Sequence, residues 1–306
     1  MTRNFSEWKD ILHNGAEHLR RAKRSQDVMV EWFFVQEIKA EEQKALLSEG
    51  RDPAGPEEQA ELLCRIARRM PISIMRGSAI AGSQDAAFSP SYALINPSFQ
   101  VKDFTGYCDP TAIYDDISPD PQAGITRERI GAVRRYWEKT PYVKKLQAIY
   151  DGTGDETKEV VYFMEPVTGH TIPDFRPYLR YGVREMKERI RKSGNAFGEA
   201  MAASLDAVLI LARRYRELAD DLLKKTQDPG EAARLAAIVK NLGRVPAEGA
   251  ANLHEAIQSF ALLWQVMALE QAPNPYAFSV GNLDRILQPY FNQAETSREE
   301  AVELVR

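Results

Sequence analysis

From Thr126 onward the chain repeats apolar residues every three or four positions, the period of amphipathic helices, and one run interrupts that period: VVYFME, Val160 to Glu165. It has the length of a strand and is bounded by Pro166 and Gly169. It leads into VTGHTIPDFRPYLRYG, where Phe175, Leu179, Val183, Met186 and Ile190 mark one face of a following helix and Asp174 suits its N-cap. A strand entering a helix through a short connection is an α/β unit, so the expected class is α/β, predominantly helical. His170 lies on that connection, where such folds display substrate contacts, and is therefore a candidate binding residue.

The remaining segments are read in the same way. Residues 1 to 50 are expected to be helical and polar, with a break at Gly50 to Pro56 and a short helix over 57 to 69 that buries Leu62, Leu63 and Ile66. Cys64 on that helix reads as a small buried hydrophobe. In MPISIMRGSAIAG, Ile72, Ile74 and Ile80 suggest one strand or two short ones, and residues 83 to 125 form a long connection without helical period. A helix over about Phe197 to Leu223, carrying Met201, Leu205, Val208, Ala212, Tyr215, Leu218 and Leu222, is stopped by Asp228-Pro229-Gly230, and a partner helix runs to Leu242. Asn252 and Glu255 have capping-box spacing ahead of the buried stripe Ile257, Phe260, Trp264 and Met267. A further helix follows Gly281, and ETSREEAVELVR opens another at Thr296 or Ser297 without a stop signal, so the polypeptide is expected to be part of a longer one.

Composition excludes several function classes. With 44 acidic and 40 basic side chains the net charge is -4, which gives no single-sign field for nucleic acid or anionic lipid. Small-molecule or protein partners fit better. Two cysteines, Cys64 and Cys108, make neither a disulfide framework nor a thiolate metal site and suit a reducing cytoplasm. The start MTRNFSEWKDILHNG lacks the apolar core of a signal peptide, and no run has membrane-span length. The four histidines, His13, His18, His170 and His254, lack HExxH spacing. GTGDET at Gly152 is half a nucleotide loop, and DDISPD, with Asp115, Asp116 and Asp120 among prolines, reads as a solvated turn and not a Mg²⁺ site. His254, in the first turn of its helix, reads as a packing or capping side chain. Ser279 lies in a short connection between two helical elements or on a strand, just before Gly281, which allows close backbone approach.

Three stretches taken in order, GHTIPDFRPYLRYGVREMKERI, RVPAEGAANLHEAIQSFALLWQVMALEQ and FSVGNLDRILQPYF, resemble the N-terminal part of the pyruvate formate-lyase-like glycyl radical enzymes. Within that family, AGSQDAAFSPSYALINPSF and GYCDPTAIYDDI look most like the 4-hydroxyphenylacetate and indoleacetate decarboxylases. The resemblance implies the N-terminal portion of a ten-stranded α/β barrel, with a glycyl radical near the C-terminus of the full-length protein and a thiyl cysteine at the barrel centre. Cys64 and Cys108 match no Cys-x-Glu motif, and Arg244-Val245-Pro246-Ala247 lacks the glycine of the radical loop. Residues 1–306 then form a partial domain of this type without the radical domain. This chain would itself bind no cofactor or metal and hold no catalytic residue.

The implied partners are a small-molecule substrate, a radical-SAM iron-sulfur activating enzyme, a second copy in a homodimer and, as a further candidate, a small iron-sulfur subunit. By resemblance His170 and Ser279 are carried over as contacts to substrate polar groups, and Phe175 as a contributor to an apolar slot. The implied reaction is radical decarboxylation of an arylacetate. Dehydration of a diol or hydroxy amino acid is the alternative within the family, and a noncatalytic helical scaffold or binding protein the alternative outside it.

Overall fold

The computed structural model describes residues 25–82, 117–121, 124–141, 172–270, 279–293 and 296–305, together with 114, 143–145, 148 and 151–152. VVYFME, His170, Cys108, His13, His18, all of GTGDET but Gly152, and most of the long connection lie outside these residues. The described residues are helical, and their β pairing is the isolated antiparallel bridge Asp120 to Ile125, closed through Gly124.

The first two helices, α1 (Ser25–Ser48) and α2 (Pro56–Arg69), form a hairpin whose turn sits where Gly50 and Pro56 predict it. Gly50, at φ 75°, lets the Gly50 N–H reach Leu47 O at 3.1 Å and the Arg51 N–H reach Leu46 O at 3.0 Å, a paired closure of the last carbonyls. Pro56 opens α2, where the missing N–H costs nothing. The carbonyls at the far end of α2 are taken by a distant side chain: Arg214 donates to Ala67 O at 2.7 Å and Met70 O at 2.8 Å. Helix α3 (Arg127–Glu138), capped by Thr126, packs on α1.

Two sequence expectations change in the next stretch. The helix after Pro173 is broken: α4 (Arg176–Lys192) is interrupted at Gly182, which adopts φ 78° and ψ 165°. Asp174 stands just ahead of the N-cap position, which Phe175 occupies, but its carboxylate still accepts the Arg176 N–H at 3.2 Å. The expected helix from Phe197 is also two, α5 (Gly198–Ser204) and α6 (Asp206–Lys225), divided at Leu205. That division turns Met201 off the core stripe, so Phe197 and Met201 are 59% and 44% exposed. The stop signal holds: Asp228 accepts the Gly230 and Glu231 N–H groups and caps α7 (Pro229–Leu242), which packs along α6.

Helix α8 (Leu253–Glu270) lies at the centre, against α2, α4, α6, α7, α9 (Leu283–Gln293) and α10 (Arg298–Val305). It begins as the capping-box spacing requires, with the Asn252 carbonyl side chain accepting the Glu255 N–H at 2.9 Å, and with Glu255 reaching back to the Ala251 N–H at 2.7 Å. Ile257 and Trp264 are buried, while Phe260 and Met267 are half-buried against the same core. Ser297 and Glu300 form a second capping box ahead of α10.

No strand forms at 70–82, contrary to the expectation from its isoleucines. For residues 78–81 the reason is visible in their hydrogen bonds. Gln258 on α8 accepts the Ala81 N–H at 2.9 Å and donates to Ala81 O at 2.8 Å, His254 meets Ala79 O at 2.7 Å, and Arg234 donates to Ser78 O. Helix side chains take the backbone groups that a neighbouring strand would otherwise pair.

Candidate functional site

The broken helix α4 positions the candidate site. At Gly182 the helix opens to receive residues 244–251: the Val183 N–H donates to Pro246 O at 2.8 Å, the Arg184 N–H to Ala247 O at 3.1 Å, and the Ala250 N–H to Leu179 O at 2.8 Å. A β-carbon on Gly182 would overlap the backbone of Ala247 and Glu248, and one on Gly249 the backbone of Arg180. The two segments therefore interlock through glycines, and the entrance of α4 is held against the start of α8.

That entrance is residues 172–175. Phe175 is 2% exposed, packed edge-on to Phe260 at 4.8 Å between ring centres and 6.2 Å from Trp264. Next to it, the Arg176 guanidinium makes a two-point pair with Asp174 and holds that carboxyl below its usual range. Burial pushes the Tyr178 phenol up. Neither group titrates near neutrality, so these residues suit binding and exclusion of water and not proton transfer.

A second segment meets the first. Gly281, at φ 70°, lies so close to Ile172 that a β-carbon on it would stand 3.2 Å from Ile172 Cγ2 and 3.7 Å from Ile286 Cδ1. Two residues earlier, Ser279 is exposed and its Oγ accepts the Gly281 N–H at 3.1 Å. That bond uses an acceptor lone pair and leaves the Ser279 O–H to donate outward. Ile172 beside it is 71% exposed. The connection bearing Ser279 thus meets the entrance bearing Phe175 where Gly281 approaches Ile172, with an exposed hydroxyl and an exposed apolar side chain on the two neighbouring segments. His170 lies outside the described residues and precedes Ile172 by two positions.

The other sequence candidates fall elsewhere. His254 is largely buried against Ala79 O and burial lowers its pKa, so its neutral ring is part of the stitching of 78–82, as the packing interpretation expects. The Cys64 thiol is buried, pushed up by that burial, and 3.5 Å from Ala203 O. No group of three or more histidine, cysteine or carboxylate side chains able to hold a metal occurs among the described residues, nor does any helix there have the length and apolarity to cross a membrane. Sequence reasoning missed the buried polar line of α8, Glu255, Gln258 and Gln265. Its signal is the spacing of three and seven along an otherwise apolar helix, which keeps polar side chains on one face.

Comparison with known proteins extends this geometry. An isethionate sulfite-lyase of Desulfovibrio desulfuricans is 23% identical over 188 residues, covering 60% of this chain and 20% of that protein. A trans-4-hydroxy-L-proline dehydratase of Clostridioides difficile is 33% identical over 97 residues, covering 31% and 12%. A solved structure concerned with 1,2-propanediol dehydration in Roseburia inulinivorans superposes with a TM-score of 0.66 at 22% identity, over 92% of this chain and 36% of that one. The chain thus spans about a fifth of the length of the sulfite-lyase and about a third of that structure. These relatives are a sulfite-lyase and dehydratases where the sequence suggested arylacetate decarboxylases. The fold is a portion of the glycyl radical enzyme barrel, carried in the described residues by its helices. The model of the family described as pyruvate formate lyase-like matches residues 8–306, and the chain belongs to that family.

Proposed function

We propose that these residues form the wall and part of the substrate mouth of a glycyl radical lyase that removes a leaving group from a small hydroxylated substrate, with dehydration of a diol or hydroxy amino acid as its reaction. The observation that carries this is the meeting of Gly281 with Ile172, which joins the Ser279 connection to the segment that follows His170. The kinds of relatives support it: two are dehydratases of hydroxylated substrates and one expels sulfite.

In such a reaction one C–O bond breaks and one water leaves; in a diol the neighbouring carbinol carbon becomes a carbonyl, and in a cyclic hydroxy amino acid the neighbouring carbon bonded to nitrogen becomes an imine. The glycyl radical of the family, installed by a radical-SAM activating enzyme, supplies the hydrogen-atom abstraction. No described residue fits that radical or its cysteine partner, since Cys64 is a core thiol and the backbone of 244–251 is engaged by α4. What this chain contributes is positioning. Ser279 donates to a substrate hydroxyl, His170 holds a second polar group, and Phe175 with Phe260 and Trp264 keeps the floor apolar and dry.

Arylacetate decarboxylation is the second reading, favoured by AGSQDAAFSPSYALINPSF and GYCDPTAIYDDI, segments almost wholly outside the described residues. One experiment separates them. The full-length protein is produced anaerobically with its activating enzyme, the glycyl signal is quantified by electron paramagnetic resonance, and 1,2-propanediol, glycerol, trans-4-hydroxyproline, isethionate and 4-hydroxyphenylacetate are offered. An aldehyde or a cyclic imine is expected. Sulfite alone moves the reaction to C–S cleavage, p-cresol establishes decarboxylation, and a full radical signal with no product rejects the substrate class.

A further inference from the structure

Residues 127 to 145 carry seven cationic side chains against two carboxylates, in a chain whose net charge is -4. At the seam between α1 and α2 the arginines are matched: Arg51 bonds Glu58, Arg65 bonds Glu42 and Glu61, and Arg69 bonds Glu41 and Glu42. Within 127 to 145, Arg129 is matched by Glu37 and Arg134 by Glu138. Arg135, Lys139, Lys144 and Lys145 are exposed and make no ion pair among the described residues. We infer that this cationic face is a docking surface for a carboxylate-rich segment of another protein.

The cations stand on a fixed frame. On α3, Ala132, Arg135 and Lys139 are exposed at spacings of three and four residues, so they share one side of the helix. Behind them Trp137 is buried, Tyr136 packs edge-on to it at 5.2 Å between ring centres, and the Tyr136 hydroxyl donates to Gln43 Oε1 of α1 at 2.9 Å. Lys44 of α1 lies 4.7 Å from the centre of the Tyr136 ring and adds another exposed cation.

Folding alone does not account for all of these charges. Arg135 and Lys139 stand at the C-terminal end of α3, where a helix favours cations. Lys144 and Lys145 are placed the other way round. The Thr140 hydroxyl accepts the Val143 N–H at 3.4 Å and the Thr140 carbonyl accepts the Lys144 N–H at 3.0 Å, so Thr140 caps a new helical turn with Pro141 at its first position. The two lysines therefore lie near a helix N-terminus, whose field repels them. Charges kept where the local fold disfavours them are available to a partner.

The chemistry of the face selects the occupant. Glu128 and Glu138 are exposed in the same stretch and the whole chain is negative, which opposes a continuous polyphosphate or an anionic membrane. Separate cations interrupted by carboxylates fit the separate carboxylates of a protein segment.

The test measures binding. The full-length protein, left unactivated, is titrated by fluorescence anisotropy with a labelled, end-capped peptide of alternating glutamates and alanines, at low and at physiological salt. Duplex DNA and phosphatidylserine vesicles are titrated in parallel. The peptide is expected to bind at low salt and to weaken as salt rises. Arg135→Glu, Lys139→Glu, Lys144→Glu and Lys145→Glu combined are expected to weaken it by more than about tenfold with the melting temperature kept, since several exposed pairs each add modestly. Arg213→Glu with Arg216→Glu, on the exposed side of α6, should change it by less than about twofold. Unchanged affinity in the combined variant, or an equal loss in the α6 variant, means binding without a site and overturns the inference. Tighter binding of DNA or vesicles than of the peptide, or no peptide binding at low salt, overturns it too.

Discussion

Two junctions of this chain depend on glycine, and they are built for opposite purposes. Where α4 breaks, Gly182 and Gly249 face main chain, and three backbone hydrogen bonds of 2.8 to 3.1 Å close the seam. At the mouth, Gly281 faces only the outer carbons of Ile172 and Ile286, and Ser279 and Ile172 remain open to solvent. The first junction cannot move without losing buried backbone pairing; the second can adjust through side chains alone. Under the proposed function, rigidity sits one step behind the substrate contacts, as a binding site needs if they are to be held by a frame that does not itself bind.

The comparison breaks most sharply at Gly249. Gly249→Ala drives a methyl into the Arg180 backbone and should cost about 3 kcal/mol or more, read as a shift in the denaturant midpoint of the full-length protein. A change under about 1 kcal/mol would show that the seam is looser than its geometry. Next is Gln258→Leu, which leaves the buried Ala81 N–H and C=O without their partners and should cost about 2 to 3 kcal/mol in the same melt. The mouth should respond in another currency. Ser279→Ala and His170→Gln are expected to leave the melt and the glycyl radical yield unchanged while lowering kcat/KM per radical about tenfold. Normal kinetics with a lowered melting temperature would place either residue in the frame.

The smallest effect concerns pH and His254. Its folded pKa is depressed by burial below 6.5, so the unfolded chain binds the proton first as pH falls. The stability due to its neutral ring is therefore complete above 6.5 and declines as pH drops toward the depressed folded value, by less than about 1 kcal/mol at pH 6. The paired carboxylates Asp174 and Asp228, also depressed, act lower, as pH falls below about 4. Replacing His254 with Gln should flatten the step between pH 7 and 5.5; an unchanged profile would mean the ring is not the group responsible.

The sequence by itself determined the local elements. Gly50 with Pro56, Asp228 with Pro229, Asn252 with Glu255 and Ser297 with Glu300 mark helix ends whose bonding partners lie within a few residues, and each forms as its chemistry requires. It also singled out the segments bearing Ser279 and Phe175, because a family resemblance spans residues far apart in the chain. Only the tertiary structure decided the rest. Ile80 looks like a strand residue until Gln258, His254 and Arg234 bond the backbone of its neighbours Ala81, Ala79 and Ser78 from other helices. The apolar period runs through Gly182 without a break, since the carbonyls of Pro246 and Ala247 that open α4 arrive from more than sixty residues away. The contact between Ile172 and Gly281 likewise joins positions over a hundred residues apart. Periodicity and caps report bonding partners that are close in sequence; which buried donor meets which acceptor across the fold is settled only when the helices pack.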